Sequence, residues 1–110
     1  MSAAFVLQRS SNSQYYFNLR AENNETILTS EQYVAKGSAE KGIESVRKNA
    51  PLDEQYARKM STDGKDFFVL KAANGEPIGQ SELYSSSAAM ENGIEAVKRT
   101  APTATVTDRA

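Results

Sequence analysis

The feature that most constrains this chain is that it is written twice. Phe5 to Pro51 aligns without a gap on Tyr56 to Pro102, at an offset of 51 residues and with roughly a third of positions identical. Within that alignment Ser30-Glu31-Gln32-Tyr33 is echoed by Ser81-Glu82-Leu83-Tyr84, and Gly42-Ile43-Glu44-Ser45-Val46 by Gly93-Ile94-Glu95-Ala96-Val97. A chain of 110 residues holds one core rather than two, so the copies must share it. Solenoid arrays need about three or more units to bury their faces; two copies suggest a duplicated unit closing on itself about a pseudo-two-fold axis. The expected organisation is a single domain over 1–110, with repeat one at 5–51, repeat two at 56–102 and a C-terminal strand at 103–107.

Each copy opens with a short apolar run, Phe5 to Arg9 or Tyr56 to Met60, followed by a turn at Ser10-Ser11-Asn12-Ser13 or Ser61-Thr62-Asp63-Gly64. The Asp-Gly pair is a hairpin signal because both residues accept positive φ. The next strands, 14–20 and 65–71, place Phe17 with Leu19 and Phe68 with Leu70 on one face, which is assigned to the core. The other face carries Tyr16, Asn18 and Arg20, or Phe67, Val69 and Lys71. A second turn follows at Asn23-Asn24 and at Asn74-Gly75, the latter a favoured type I′ pair, and returns the chain through Ile27 to Ser30 and Ile78 to Ser81. Pro77 can open a strand without breaking a ladder bond, and Gly79, opposite the position of Leu28, marks a local bulge.

After each tyrosine the apolar period changes. Ala39, Gly42 with Ile43, Val46 and Ala50 recur at helical spacing, as do Met90, Gly93 with Ile94, Val97 and Ala101, so one helix covers each three-stranded meander. Ser85, Ser86 and Ser87 offer N-caps to the second helix. Glu44 with Lys48, and Glu95 with Arg99, stand at the favourable i, i+4 spacing, and Pro51 and Pro102 stop the helices. The β-branched alternation of Thr103 to Thr107 predicts a last strand whose partner lies outside its own repeat; its counterpart in the first copy, Asp53 to Tyr56, merges with the opening strand of the second.

These motifs carry a resemblance. Asn74-Gly75-Glu76, Ser81-Glu82-x-Tyr84-Ser85-Ser86 and Asn92-Gly93-Ile94-Glu95-x-Val97, with Asn23, Glu25, Ser30-Glu31-x-Tyr33 and Gly42-Ile43-Glu44-x-Val46 in the first copy, are similar to the signature of the YegP-like family of small, mostly bacterial proteins of unknown function. The resemblance covers nearly the whole chain. It implies β-β-β-α-β units, in tandem or as two subunits, that form one continuous sheet and exchange their C-terminal strands. A chain with two units is then a fused dimer, expected to be monomeric. Asn24 for Gly75, Lys41 for Asn92 and Ala35-Lys36-Gly37 for the serine run are departures between the copies, and the resemblance supplies no activity. Together with the period reading, the fold class is α+β: two tandem β-β-β-α-(β) repeats with pseudo-two-fold symmetry, an antiparallel sheet with two helices on one face, and an exchanged C-terminal strand.

Composition narrows the chemistry. Net charge is −1, with acids and bases divided evenly between the copies, so no basic half steers the chain toward phosphates and nucleic acid is disfavoured as a partner. There is no cysteine and no histidine, which removes thiol chemistry, the usual general base near neutral pH and the commonest metal ligand. No catalytic or metal-binding residue and no cofactor is assigned. The opening residues form no signal peptide, no apolar run reaches the roughly 20 residues of a spanning helix, and a cytoplasmic protein is expected.

Two sets of residues remain as candidate sites. Ser30, Glu31 and Tyr33, with Ser81, Glu82 and Tyr84, could form a ligand- or partner-binding constellation at each strand-to-helix corner. A duplicated symmetric element is also what fold maintenance looks like, with serine ending a strand and tyrosine packed under the helix, its hydroxyl satisfied by backbone. Where the copies depart, the second corner is the better candidate. Tyr16, Arg20, Phe67 and Lys71, beside Lys65, form an aromatic and basic set on the open sheet face, a pattern that can stack single-stranded nucleic acid, although no RNP-like run accompanies it. Glu40 with Glu44, and Glu91 with Glu95, share helix faces and would be the carboxylates of an enzyme. The leading expectation is a small non-enzymatic binding module, with single-stranded nucleic-acid binding second and a carboxylate enzyme third.

Overall fold

In a computed structural model, which describes residues 2–110, each repeat is a meander of three strands followed by a helix. Repeat one comprises β1 (Ala4–Arg9), β2 (Tyr15–Arg20), β3 (Thr26–Ser30) and α1 (Lys36–Asn49); repeat two comprises β4 (Tyr56–Met60), β5 (Asp66–Lys71), β6 (Pro77–Gln80) and α2 (Ser87–Thr100). The last strand, β7, runs Thr105–Asp108, two residues later than its β-branched run suggested at the start, because Thr103 lies in the turn that leaves α2. The segment between the repeats makes a single 3-10 turn, Asp53–Gln55, and then becomes β4.

The seven strands form one sheet in the order β4-β5-β6-β3-β2-β1-β7. The repeats meet where β3 pairs antiparallel with β6, Thr29 opposite Gln80. These two residues are equivalent in the alignment, so the pseudo-two-fold axis passes between them. The expected strand exchange is present: β7 leaves repeat two and pairs with β1 of repeat one. It runs parallel to β1, whereas every other strand pair is antiparallel. Arg47 ties the exchange down, its guanidinium 5.3 Å from the Phe5 ring while Nη2 donates to Ala104 O at 2.6 Å.

Phe5, Leu7, Phe17, Leu19, Leu28, Phe68 and Leu70 from the sheet, with Ile43, Val46, Ile94 and Val97 from the helices, form one apolar cluster, so both helices cover the same sheet face. Three local expectations need correction. The hairpin turns are not type I′: at Ser61–Lys65 and Ala72–Glu76 only Gly64 and Gly75 have positive φ, and Gly64 N–H donates to Ser61 O while Ser61 N–H donates to Lys65 O. That is a type I turn closed by one left-handed residue, which asparagine tolerates, and Asn24 fills the role at φ 68° in repeat one. The bulge is not a property of Gly79, since both repeats shift register at the same place, after Leu19 and after Leu70, which turns Ile27 and Ile78 into the core. Gly79 is instead the point of closest approach between repeats, where a Cβ would lie 2.7 Å from Thr29 O. The helix-surface pairs form at i, i+3 (Glu44 with Arg47, Glu95 with Lys98) rather than with Lys48 and Arg99. Ser86 is the cap that α2 uses, its Oγ accepting from Ala89 N–H, whereas α1 begins without a side-chain cap.

Candidate functional site

The two strand-to-helix corners are built alike. Ser30 is buried at the end of β3, where its Oγ accepts from Phe17 N–H at 2.9 Å and donates to Glu31 O at 2.8 Å; Ser81 does the same with Phe68 N–H at 3.0 Å and Glu82 O at 2.8 Å. Each hydroxyl thus fills the ladder position that the departing strand vacates. Tyr33 exchanges two backbone hydrogen bonds with Tyr15, both at 2.7 Å, and Tyr84 does so with Asp66 at 2.7 and 3.0 Å. The tyrosine rings stack on the core phenylalanines, Tyr33 on Phe17 at 6.3 Å and 10°, Tyr84 on Phe68 at 6.5 Å and 11°.

This packing joins the two repeated motifs. A Cβ added to Gly42 would lie 2.5 Å from Tyr33 Oη, and one added to Gly93 would strike Tyr84 Oη in the same way. The mid-helix glycine therefore makes room for a phenol. Neither phenol donates to a backbone carbonyl, contrary to expectation, because the ring crosses the helix at its glycine and its oxygen reaches the half-exposed rim. Burial pushes both phenols above their ordinary pKa, with Glu31 adding to the effect at Tyr33 and Glu82 and Glu25 at Tyr84. Glu31 and Glu82 are exposed and point away from the corner's hydrogen bonds. The serine and the tyrosine ring are thus occupied by the fold, and each corner presents its glutamate beside a half-exposed tyrosine at the surface.

The opposite sheet face carries no helix. Register places Val6, Gln8, Tyr16, Asn18, Arg20, Thr29, Ala57, Lys59, Phe67, Val69, Lys71, Gln80 and Thr107 on it. Tyr16, Arg20, Phe67 and Lys71 are half-exposed there, while Val6, Asn18 and Val69 are shielded by their neighbours' longer side chains. Gln8 Nε2 donates to Asn18 Oδ1 at 2.6 Å and Asn18 Nδ2 to Thr29 Oγ1 at 3.1 Å, a polar row across repeat one whose equivalents in repeat two are Lys59, Val69 and Gln80. Arg20 Nε is buried with no hydrogen-bond partner. Three strand spacings of ~4.8 Å separate β2 from β5, and Tyr16 and Phe67 lie two residues to opposite sides of the row Asn18-Thr29-Gln80-Val69, which puts them about 20 Å apart, so the two aromatics do not form a contiguous stacking platform.

Lys59 belongs to this face and was missed, although the period-two step from Ala57 would have found it. A second missed group lies on the flank of β4, where Arg58 bonds Glu91 at 2.5 Å and Asp53 at 3.0 Å, and Lys98 reaches Asp53 at 2.8 Å. Its signal was the alignment itself, since Arg58 occupies the place of Leu7. These cations hold the Asp53 and Glu91 carboxyls below the usual carboxylate range. A general acid needs the opposite shift, and Glu91 and Glu95 are both engaged with cations. Among the described residues there is no cavity and no cluster of acidic side chains that could hold a metal ion. Among the described residues, no helix is long and apolar enough to cross a membrane.

The family model described as "Domain of unknown function (DUF1508)" matches this chain twice, over residues 10–56 and 61–108. The chain belongs to the DUF1508 family. It is 51% identical over 109 residues to a UPF0339 protein of Bordetella pertussis, covering 99% of this chain and 97% of that one. It is 49% identical over 108 residues to the UPF0339 protein YegP of Escherichia coli K12, covering 98% of each. The solution structure of yegP from E. coli, described as a protein of unknown function, superposes with a TM-score of 0.93 at 49% identity over 99% of this chain and 94% of that one. That of UPF0339 protein SO3888 from Shewanella oneidensis gives 0.91 at 47% identity, over 98% and 92%. The resemblance seen in the repeated motifs is thus a family membership, and each of the two DUF1508 matches spans the second and third strands of a meander and its helix, beginning after β1 and after β4.

Proposed function

We propose that this DUF1508 protein is a non-enzymatic binding module that holds an anionic partner on its helix-free sheet face. One observation carries the reading: every charged side chain at a strand position of that face is a base (Arg20, Lys59 and Lys71), although the chain as a whole is net negative. The acids lie in turns, on the helices and on the helix side of the strands. Arg20 adds support, because a buried guanidinium donor without a partner is costly unless a ligand accepts from it. The repeated corners serve as the scaffold, and a monomer of one cooperative domain, with repeats at 5–51 and 56–102, presents the face.

Titration of the isotope-labelled protein with a short polyglutamate peptide at low salt tests the reading. Amide shifts at Arg20, Lys59 and Lys71 are expected, lost on the Lys59→Glu, Lys71→Glu double substitution; no shift at low salt would overturn it. Single-stranded nucleic acid is the second reading, favoured by Tyr16 and Phe67 beside the bases. Three phosphate contacts would give a log–log salt slope of about −2. The wide separation of the aromatics predicts that an oligonucleotide binds no better than the peptide of equal charge.

A further inference from the structure

Repeat one shows how a strand is held outside the opening strand of a repeat. β7 lies parallel to β1 from Ala4 opposite Thr105 to Leu7 opposite Asp108, Arg109 N–H donates to Leu7 O at 2.8 Å, and Asp108 pairs with Lys36 at 2.5 Å. The same flank of repeat two is bare. Among the described residues β4 pairs with β5 on one side and with no strand on the other, because residues 54–57, which would correspond to β7, finish the 3-10 turn and begin β4 itself. The ladder fixes which groups are left unpaired. Ser61 N–H bonds Lys65 O, and alternation along an antiparallel pair then turns the N–H and C=O of Arg58 and Met60 outward.

The two sides of this flank differ in chemistry. On the helix-free face Lys59 projects beside Ala57. On the helix side Met60 is 66% exposed, where repeat one has Arg9, and the Arg58 charge is already matched by Glu91 and Asp53. A strand complementary to both sides alternates acidic residues, toward Lys59, with apolar ones, toward Met60. A second copy fits poorly: antiparallel pairing of β4 with β4 would set either Arg58 or Lys59 opposite its own counterpart, and like charges directly opposite destabilise a pair.

We propose that β4 accepts an extended, alternately acidic and apolar segment of a partner protein as an eighth strand, parallel as β7 is to β1. This rests on the assignment of the helix-free face to an anionic partner and narrows that partner to a strand-forming peptide. In β7 the residues on the helix-free side turn their N–H groups toward β1, as Thr105 does to Ala3 O. The acidic residues of the added strand accordingly donate to β4.

The probe is a blocked hexapeptide of alternating glutamate and valine, titrated into the full chain at low salt. Amide shifts and slowed hydrogen exchange are expected at Arg58 and Met60. N-methylation of the glutamates weakens binding at least about tenfold, since several backbone hydrogen bonds are lost, whereas N-methylation of the valines leaves it unchanged. Met60→Pro removes one outward N–H from an edge strand, where proline is tolerated, and weakens binding likewise. If both methylated peptides bind equally, with shifts at Arg20, Lys59 and Lys71 but none at Arg58 and Met60, strand addition is wrong and the face assignment stands. No shift anywhere overturns both. A concentration-dependent dimer that Met60→Pro dissolves would make the occupant a second copy and overturn the proposal.

Discussion

The two flanks of the sheet begin from equivalent strands and end differently. In repeat one β7 covers β1, and Leu7 beneath it is fully buried; in repeat two nothing covers β4, and the equivalent residue is Arg58, exposed and tied to Asp53 and Glu91. The corners, by contrast, repeat down to the distances of their serine hydrogen bonds. Divergence between the copies therefore follows the place where connectivity breaks the symmetry: one unit's last strand had to become the next unit's first. Where the symmetry holds and side chains pack or bond in the same way, as with Ser30 and Ser81 or Tyr33 and Tyr84, the residues are the same. Where it fails, an edge strand needs charge instead of leucine.

The largest effect is expected at that pair of positions. Leu7→Ala should cost about 2–5 kcal/mol, since it leaves a cavity under β7, while Arg58→Ala should cost no more than about 1 kcal/mol because its ion pairs are solvent-screened. Urea unfolding of both variants measures this, and equal losses would erase the distinction between the flanks. A smaller effect, equal in both repeats, is expected at the corners. Overpacking against the tyrosine costs about 1–3 kcal/mol and the gain in helix propensity returns about 1 kcal/mol, so Gly42→Ala and Gly93→Ala should each destabilise by about 1 kcal/mol. In a Tyr84→Ala background, where the next neighbour of the added Cβ is Phe68 Cε2 at 3.3 Å, Gly93→Ala should become stabilising; if it stays destabilising, the phenol is not what the glycine accommodates.

The smallest effect is in acid. Lys36 lowers the Asp108 carboxyl, and Arg58 and Lys98 lower those of Asp53 and Glu91. Each folded value lies below its unfolded one, so the stabilisation is complete above the ordinary carboxylate range and disappears as pH falls through the folded values. Hydrogen exchange between pH 5 and pH 3 should show β7 loosening through Asp108 and the β4 flank through Asp53 and Glu91. Asp108→Asn should make β7 insensitive to acid without altering the response at β4.

Much of this fold was legible because its signals are local or duplicated. Period two in Phe17-Asn18-Leu19, period 3.6 from Ala39 to Ala50 and the repeat itself led to the meanders, the helices and the exchanged strand. The parallel direction of β7 was not legible, since alternation in Thr103 to Thr107 carries no polarity. Asn-Gly and Asp-Gly signal a turn without fixing whether one or two residues enter positive φ. The candidate sites were harder. Ser-Glu-x-Tyr and Gly-Ile-Glu-x-Val read as separate motifs, and only a ring crossing from strand to helix shows that Tyr33 and Gly42 are one contact. The bases Arg20 and Lys71 of the helix-free face were legible by period two, whereas Lys59 was missed, and the absence of acids from the strand positions of that face needs the register of all seven strands.

The pairing of β1 with β7 joins residues 4–7 to residues 105–108, nearly the whole length of the chain. During synthesis, β1 can find β2 once the first hairpin emerges, but its other edge stays unoccupied until residues 105–108 have been made and have cleared the ribosome. Throughout that interval a nascent chain offers an unsatisfied strand beside Phe5 and Leu7, the situation in which chaperones are recruited and neighbouring nascent chains entangle. A chain cut short before Thr105 has two bare flanks instead of one.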